Sequence, residues 1–269
     1  MVALDWKPID ENVILRGLQT QRLGKSLRIV DECSSTNDLV GQLAEAGAPH
    51  GLVVIGETQT AGRGRFGRAW YSPRGGIWLS VLLRPQNQSI SFDSLPLLGA
   101  LGIAKPISEH WGARARVRWP NDVVVDRQKI AGVLVESKTS GNRLEYATMG
   151  LGVNANFDPN QIEPIRGSST SLLRLLGREV NREELILAIL SATERMYESL
   201  AANRETDLAQ VLEGLDCSRG SRVRVKTAEG VFEGVVDAYE GLGKVRIMTR
   251  RGHVSVETGT VVSVDYQSN

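Results

Sequence analysis

The sequence is poor in the residues that build disulfide frameworks and histidine or cysteine metal sites. Its 269 residues include two cysteines and three histidines. Cys33 and Cys217 lie far apart in the chain, so they match neither a disulfide framework nor a spaced zinc motif. The three histidines are scattered, which argues against a histidine-based metal centre.

Long apolar runs and the pattern of a secretory leader are also lacking. No apolar stretch approaches the roughly 18 residues that a membrane-spanning helix needs. Residues 1–8 do not show the basic and then apolar order of a signal peptide. We therefore expect a cytoplasmic protein that makes no contact with membranes.

Two features that favour nucleic-acid binding are weak, namely a strong positive charge and many aromatic side chains. The net charge is +1, and aromatic residues make up 5% of the chain. Proteins that bind single strands usually combine basic grooves with stacking rings. The apolar content of 41% and the charged content of 23% are ordinary for a globular protein.

Apolar runs of strand length recur through the first 156 residues, and hairpin-like turns join several of them. This pattern predicts an α+β fold with a central mixed, largely antiparallel sheet and flanking helices. Pro106 lies inside a predicted helix over residues 95–111, so we expect a kink or a break there. The predicted strands are residues 27–32, 52–57, 77–83, 114–119, 123–125, 129–136 and 144–156.

Short valine-rich runs separated by glycines fill the chain beyond residue 217. Such a pattern predicts a small β-barrel. We therefore divide the chain into a large domain over residues 1–217 and a small one over residues 218–269. Residues 157–171 are rich in proline and serine, which predicts a mobile loop before the boundary.

Residues 57–70 place three arginines and three glycines in alternation between two predicted core strands. The arginines are Arg63, Arg65 and Arg68, and the glycines are Gly62, Gly64 and Gly67. Arginine offers forked donors to phosphate or carboxylate, and glycine lets the backbone approach a ligand. The segment therefore indicates an anionic ligand, with a solvated basic turn as the alternative. We reject the dinucleotide-binding interpretation of its glycine spacing, because no helix is expected directly after it.

Further polar segments occur where predicted strands end or helices begin. Each has an ordinary structural interpretation when taken singly: Ser35 with Asp38 fits helix capping, and Asn121 fits a turn. These segments are Ser35-Thr36-Asn37, Gln59, Arg118-Trp119-Pro120-Asn121-Asp122, Lys129, and Asn154 with Asn156.

In their order and spacing these segments resemble the biotin protein ligase family. Residues 62–68 match its glycine–arginine loop, and residues 118–122 with residues 129–132 match its second motif. The chain departs from the family at Phe66 and Arg118, where arginine and lysine are common. The resemblance implies the catalytic fold shared by biotin and lipoate ligases, followed by an SH3-like barrel. It also implies the ligase-only type, without an N-terminal DNA-binding domain.

The resemblance implies an ATP-dependent ligase that activates biotin as biotinyl-5′-adenylate. The biotinyl group would pass to a lysine of biotin carboxyl carrier protein, a subunit of acetyl-CoA carboxylase. ATP and biotin would be substrates, Mg²⁺ would accompany ATP, and no DNA would be bound. The resemblance leaves open whether the chain forms a homodimer. The alternatives are a lipoate–protein ligase, a nucleic-acid-binding module and a biotin sensor that does not ligate.

The same resemblance implies roles for individual residues. Lys129, Arg65 and Arg68 would be catalytic, and Asp122 would hold Mg²⁺. The biotin-binding residues would be Ser35, Thr36, Asn37, Gln59, Gly62, Arg63, Gly64, Arg65, Lys129 and Gly132. The ATP-binding residues would be Arg65, Arg68, Trp70, Arg118, Asn121, Asp122, Lys129, Asn154 and Asn156.

Overall fold

A computed structural model describes residues 7–85, 90–141, 143–257 and 260–265. These residues form six α-helices and twelve strands that fall into two sheets. The helices are α1 (Glu11–Gly17), α2 (Thr36–Glu45), α3 (Leu95–His110), α4 (Leu172–Leu176), α5 (Arg182–Ala201) and α6 (Glu205–Leu215). The strands are β1 (Leu27–Cys33), β2 (Val53–Gln59), β3 (Ile77–Leu83), β4 (Arg116–Arg118), β5 (Asp122–Val125), β6 (Gln128–Ser140), β7 (Arg143–Val153), β8 (Arg222–Lys226), β9 (Val231–Glu240), β10 (Lys244–Thr249), β11 (Gly252–Val256) and β12 (Thr260–Asp265).

The larger sheet has seven strands in the order β1-β2-β3-β7-β6-β5-β4. Only β1 and β2 run parallel, with Leu27 opposite Val53, and the other neighbours are antiparallel. All seven residues of β3 are buried. A strand that is covered on both faces has a nearly continuous apolar sequence, which is why the apolar run over residues 77–83 predicted this strand. The predicted mixed, largely antiparallel sheet is confirmed.

The helix α3 continues through Pro106 to His110, so the chain does not break there, and the kink that was the other expected outcome stays a prediction. An internal proline costs a helix about 3 kcal/mol because it removes a hydrogen bond and crowds the preceding turn. Most of α3 is buried against the large sheet and α5, including Leu101 and Ile103. Burying one large aliphatic side chain contributes about 1.5–3 kcal/mol, so the packing of α3 outweighs the proline.

A buried ion pair fixes the end of β2 next to the arginine-rich segment. Arg182 Nη1 lies 2.7 Å from Glu57 Oε2, and the two side chains are 5% and 4% exposed. Glu57 also accepts a hydrogen bond from the Ile9 amide at 2.6 Å, and Arg182 donates to the carbonyl of Gly76. The N-terminal segment, β2 and the start of β3 are therefore joined at one point.

The smaller sheet has five strands in the order β11-β10-β9-β8-β12, and its short strands match the pattern predicted after residue 217. Trp119, from the turn between β4 and β5, is 2% exposed and belongs to the apolar core of this second sheet. Its amide donates to Ser218 Oγ at 2.8 Å. The two sheets are thus packed together through a residue of the larger one. In the described part of the chain, no helix has both the length and the apolar character needed to cross a bilayer.

Candidate active site

The candidate site is a cavity of about 660 Å³ between one end of the large sheet, the arginine-rich segment and β12. Its wall includes most of the polar residues that the sequence singled out, together with residues of the second sheet. The predicted site residues that line it are Ser35, Thr36, Asn37, Gln59, Arg63, Gly64, Arg65, Arg68, Trp70, Arg118, Asn121, Asp122, Lys129 and Gly132. Residues 261–264 of β12 line it as well.

Residues 62–70 form a hairpin over this cavity, which we call the flap. The Trp70 amide donates to the Gly62 carbonyl at 2.9 Å, and the Gly64 amide donates to the Arg68 carbonyl at 2.7 Å. A Cβ on Gly62 would lie 2.5 Å from the Trp70 carbonyl oxygen, so this glycine serves the close approach of the two flap strands rather than the cavity. At the tip, Phe66 has a φ of 59° and is exposed.

One end of the cavity is built from uncharged hydrogen-bonding groups at the start of α2. Gln59 Oε1 accepts from the Thr36 amide at 2.9 Å, and Gln59 Nε2 donates to Ser72 Oγ at 2.7 Å. Ser80 Oγ lies 2.7 Å from Thr36 Oγ1. Ser35 occupies the N-cap position of α2, but its side chain makes no capping hydrogen bond among the described residues. Its capping interpretation therefore holds for its position and not for its hydroxyl.

Carboxylates from two elements meet Arg63 at the base of the flap. Arg63 Nη1 and Nη2 lie 2.8 and 2.5 Å from the two oxygens of Asp38, on the first turn of α2. Arg63 Nη2 also lies 3.4 Å from Glu136 Oε1 on β6. The hydrogen bonds from Arg63 lower the pKa of Asp38, so this carboxylate is ionised at neutral pH.

A second charged cluster joins Asp122 to two cations on the cavity floor. Lys129 Nζ lies 2.5 Å from Asp122 Oδ1, and Arg118 Nη2 lies 2.7 Å from Asp122 Oδ2. Lys129 Nζ is also 4.9 Å from the centre of the Trp70 ring. Burial opposes the ionisation of Asp122, but the two cations outweigh it and hold its pKa below the usual range. Lys129 is therefore an oriented ammonium that faces the cavity.

Two glycines make room for the flap tryptophan. A Cβ on Gly152 would lie 2.7 Å from Trp70 Nε1, and one on Gly132 would lie 3.0 Å from Lys129 Cε and 3.1 Å from the Trp70 ring. The Trp70 Nε1 atom is buried and has no hydrogen-bond partner within the described ranges. Gly132 thus accommodates side chains of the site itself.

Arg65 and Arg68 reach the cavity from the flap. Arg65 Nη1 lies 3.5 Å from Asn121 Oδ1, and burial lowers the pKa of Arg65 while the Asp122 carboxylate opposes that shift. Asn121 Nδ2 donates to the Val133 carbonyl at 2.8 Å, so the side chain of Asn121 has a fixed direction. The flap arginines and the floor cluster therefore face one another across the cavity.

Asn154 and Asn156 are not among the described residues that line the cavity, and their predicted contact with the nucleotide stays a prediction. Asn154 Nδ2 donates to the Thr170 carbonyl at 2.9 Å. Asn156 exchanges two hydrogen bonds with the backbone of Val180, at 2.8 and 2.9 Å. Both amides are occupied by backbone groups, so in this structure they brace loops beside the site.

The predicted loop over residues 157–171 is tied to the backbone of Lys129. The Lys129 amide donates to the Ser168 carbonyl at 3.1 Å, and the Thr170 amide donates to the Lys129 carbonyl at 2.9 Å. Two 3₁₀ turns, Pro159–Gln161 and Glu163–Ile165, occupy the segment before these contacts. The loop therefore holds the backbone of Lys129 in place through two hydrogen bonds. The mobility predicted for the loop stays a prediction.

Comparison with known proteins identifies the family. The profile described as the Biotin/lipoate A/B protein ligase family matches residues 30–154. The chain is 31% identical over 246 residues to the bifunctional ligase/repressor BirA of Bacillus subtilis, which covers 91% of this chain and 76% of that protein. It is also 31% identical over 268 residues to the biotin--[acetyl-CoA-carboxylase] ligase of Mycobacterium tuberculosis, which covers 95% of this chain and 96% of that protein. This chain belongs to the biotin protein ligase family.

A solved structure resembles most of this chain. The biotin protein ligase from Aquifex aeolicus in complex with biotin and ATP superposes with a TM-score of 0.76 at 26% identity, covering 90% of this chain and all of that one. The predicted fold class, a mixed sheet with flanking helices followed by a small SH3-like sheet, is confirmed.

Among its described residues, the ligase does not present a ready cage for Mg²⁺. Within the described ranges, no group of three or more His, Cys, Asp or Glu side chains is arranged to hold an ion. Asp122, the predicted ligand, is paired with Lys129 and Arg118 instead. A carboxylate already held by two cations does not fit the role of a direct Mg²⁺ ligand, so we derive no step through the ion.

Sequence reasoning missed several residues of the ligase site. Asp38 and Glu136 pair with Arg63, Ser80 Oγ contacts Thr36 Oγ1 of α2, and the Trp119 side chain packs in the core of the second sheet. The residues of β12 that line the cavity were also missed. Asp38 and Trp119 carried a signal, since Asp38 directly follows the polar triplet at residues 35–37 and Trp119 lies within the motif at residues 118–122, but neither signal indicated these contacts.

Proposed function

We propose that this ligase activates biotin with ATP as biotinyl-5′-adenylate and transfers the biotinyl group to a lysine of a biotin carboxyl carrier protein. The observation that carries the proposal is that one cavity is lined by uncharged hydrogen-bonding side chains at the start of α2, by the arginines of the flap and by Lys129. The names of two relatives support the substrates. One is a biotin--[acetyl-CoA-carboxylase] ligase, and the other was solved with biotin and ATP.

The uncharged end suits the ring of biotin. That ring is a neutral urea fused to an apolar sulfur ring, so it needs a few aimed hydrogen bonds in an otherwise apolar pocket. Gln59, Thr36 and Ser35 supply donors and acceptors there, and the N-terminus of α2 adds backbone amides. The short apolar tail of biotin would then direct its carboxylate toward Lys129.

The charged end suits the first step. A biotin carboxylate oxygen attacks the α-phosphorus of ATP, the bond from that phosphorus to the bridging oxygen breaks, and pyrophosphate leaves. Both reactants are anions, so cations must offset their repulsion. Lys129 would lie between the carboxylate and the α-phosphate, while Arg65 and Arg68 face the phosphates from the flap. Mg²⁺ would arrive bound to the triphosphate.

In the second step an acceptor lysine amine attacks the acyl carbon of the adenylate, and AMP leaves with the electron pair of the broken bond. The attacking nitrogen loses its proton as the amide forms. The reaction uses no covalent nucleophile from the enzyme. Its main demand is exclusion of water, because an acyl-adenylate hydrolyses. The flap, lying over the cavity, meets that demand.

The test is an intact-mass measurement on the acceptor. Purified ligase is mixed with biotin, MgATP and an apo biotin carboxyl carrier domain, and a carrier with its acceptor lysine changed to arginine serves as the control. We expect a mass gain of one biotinyl group that requires ATP and the acceptor lysine. A gain only with lipoate on a lipoyl domain would point to a lipoate ligase. No gain in either mixture would refute ligation.

A further inference from the structure

Arg63 was expected to contact biotin, but its guanidinium is engaged by carboxylates from two other elements. The two nitrogens of the fork meet both oxygens of Asp38 at 2.8 and 2.5 Å. Glu136 Oε1 lies 3.4 Å from the same guanidinium. A bidentate pair of this kind fixes orientation as well as distance. Arg63 is therefore bound to α2 and to β6 at the same time.

The position of Arg63 in the flap gives this pairing its consequence. Arg63 pairs with Ala69 across the base of the hairpin, and the hydrogen bonds of Gly64 and Trp70 close the hairpin on either side. Arg65 and Arg68 lie beyond that base, toward the tip. Anchoring Arg63 therefore fixes the base of the flap, whereas Arg65 beyond that base has a contact of its own with Asn121 Oδ1 at 3.5 Å.

The pairing also connects to the uncharged end of the cavity. Glu136 Oε2 accepts from Asn37 Nδ2 at 2.7 Å, and Ser80 Oγ lies 2.6 Å from Asn37 Oδ1. Ser80 in turn lies 2.7 Å from Thr36 Oγ1. One continuous set of hydrogen bonds thus runs from the residues proposed to hold the biotin ring to the base of the flap.

We propose that Asp38 and Glu136 are positioning residues, which clasp Arg63 and hold the flap over the cavity so that the adenylate is retained until the acceptor arrives. This inference rests on the proposed function. It assigns the carboxylates no part in bond making, so it separates retention of the adenylate from the rate of its formation.

The first experiment measures both quantities in the absence of acceptor. Formation is followed as the pre-steady-state burst of pyrophosphate, and retention as the rate at which labelled biotinyl-adenylate leaves the enzyme. For Asp38→Asn and Glu136→Gln we expect release about 3- to 10-fold faster, a size suited to half-exposed ion pairs, with the burst rate unchanged within about twofold. Arg63→Lys keeps the charge without the fork and should fall between wild type and Arg63→Gln.

A matched pair elsewhere in the chain supplies the control. Arg74 binds Asp31 with the same bidentate geometry, at 2.6 and 2.7 Å, and neither residue belongs to the flap. Asp31→Asn should leave both rates at their wild-type values. Combining Asp38→Asn with Arg63→Gln should release adenylate no faster than Arg63→Gln alone, because both changes remove the same interaction. Full additivity of the two effects would overturn the clasp.

A second readout does not depend on catalysis. Amide hydrogen exchange of the ligand-free protein reports on flap opening through the amides of Gly64 and Trp70, with peptides of α5 as the internal reference. In the clasp variants, Asp38→Asn and Glu136→Gln, amide exchange should be faster than in wild type in the flap and should keep its wild-type rate in α5. If wild type makes no adenylate, the proposed function fails while flap exchange still tests the clasp. If wild type makes adenylate and both clasp variants match it in release and exchange, the clasp is wrong.

Discussion

Replacing Lys129 with alanine tests the proposed chemistry most directly, because the structure separates its effect on rate from its effect on stability. The ammonium faces the cavity, is 27% exposed, and is held by Asp122 at 2.5 Å and by the Trp70 ring. Its removal takes away the cation proposed to lie between two reacting anions. Asp122 keeps Arg118 as a partner at 2.7 Å, so the remaining carboxylate is not left alone.

The two expected magnitudes differ widely. Loss of one well-placed charge-stabilising donor lowers an enzyme rate on the order of 100- to 1,000-fold. Breaking a buried ion pair can cost about 3–5 kcal/mol when it leaves an uncompensated charge. Arg118 supplies that compensation here, so we expect a loss of only about 1–2 kcal/mol. In a protein of this size the melting temperature would fall by roughly 2–8 °C, which leaves the variant folded at assay temperature.

The assay is pyrophosphate release with biotin and ATP, measured alongside thermal unfolding. Lys138→Ala is the control, since Lys138 lies on the same strand and pairs with Glu45 at 2.7 Å on the surface. That variant should keep both the rate and the melting temperature. Lys129→Arg should remain at least about 10-fold slow, because a planar fork cannot replace a compact ammonium. A near-normal rate of pyrophosphate release in Lys129→Ala would refute the assigned role.

Three further predictions concern the residues around the cluster. Trp119→Ala should destabilise the protein by about 3–5 kcal/mol in denaturant unfolding, because it removes a large buried side chain from the core of the second sheet. A loss of stability under about 1 kcal/mol would contradict that packing. Asn154→Ala should lower the free energy of unfolding by about 1–2 kcal/mol without changing the Michaelis constant for ATP. A raised Michaelis constant at unchanged stability would instead show that Asn154 contacts the nucleotide. Since cations hold the pKa of Asp122 below its usual range, its stabilising effect should be complete above about pH 4 and lost as the pH falls through the lowered pKa. The difference in unfolding free energy between wild type and Asp122→Asn should shrink across that acid range, and a difference independent of pH would exclude the ion pairs as its source.

Local pattern was sufficient to predict much of the fold and the flap. The strand β2 begins with a buried apolar run over residues 53–55, β3 is apolar except for Ser80, and the arginine–glycine segment between them can only be a connection. Asn181, at the N-cap of α5, accepts from the Glu184 amide three residues later, which is a contact within one helical turn. Such features depend on residues within a few positions of one another, so the sequence contains the whole interaction.

Features that depend on distant partners were not predictable in this way. Glu136 lies in an apolar strand and meets Arg63, which is 73 residues away. Trp119 reads as part of a polar motif, yet its side chain packs in the second sheet. No local spacing distinguishes such residues from ordinary strand residues, because their roles are created when the sheets assemble.

Asn154 and Asn156 show the converse case, in which a motif match assigns a ligand to residues that the fold also uses as braces. A buried amide has to satisfy its donors and acceptor, and a neighbouring backbone group serves as well as a nucleotide. Asn156 Nδ2 donates to the Val180 carbonyl and Asn156 Oδ1 accepts from the Val180 amide, so contact with a nucleotide would require breaking two hydrogen bonds. Lys129 differs, because the pairing that orients it leaves its ammonium on the cavity wall. The geometry of hydrogen-bond partners, rather than residue type or motif position, therefore separates the groups that can reach a substrate from those that hold the site together.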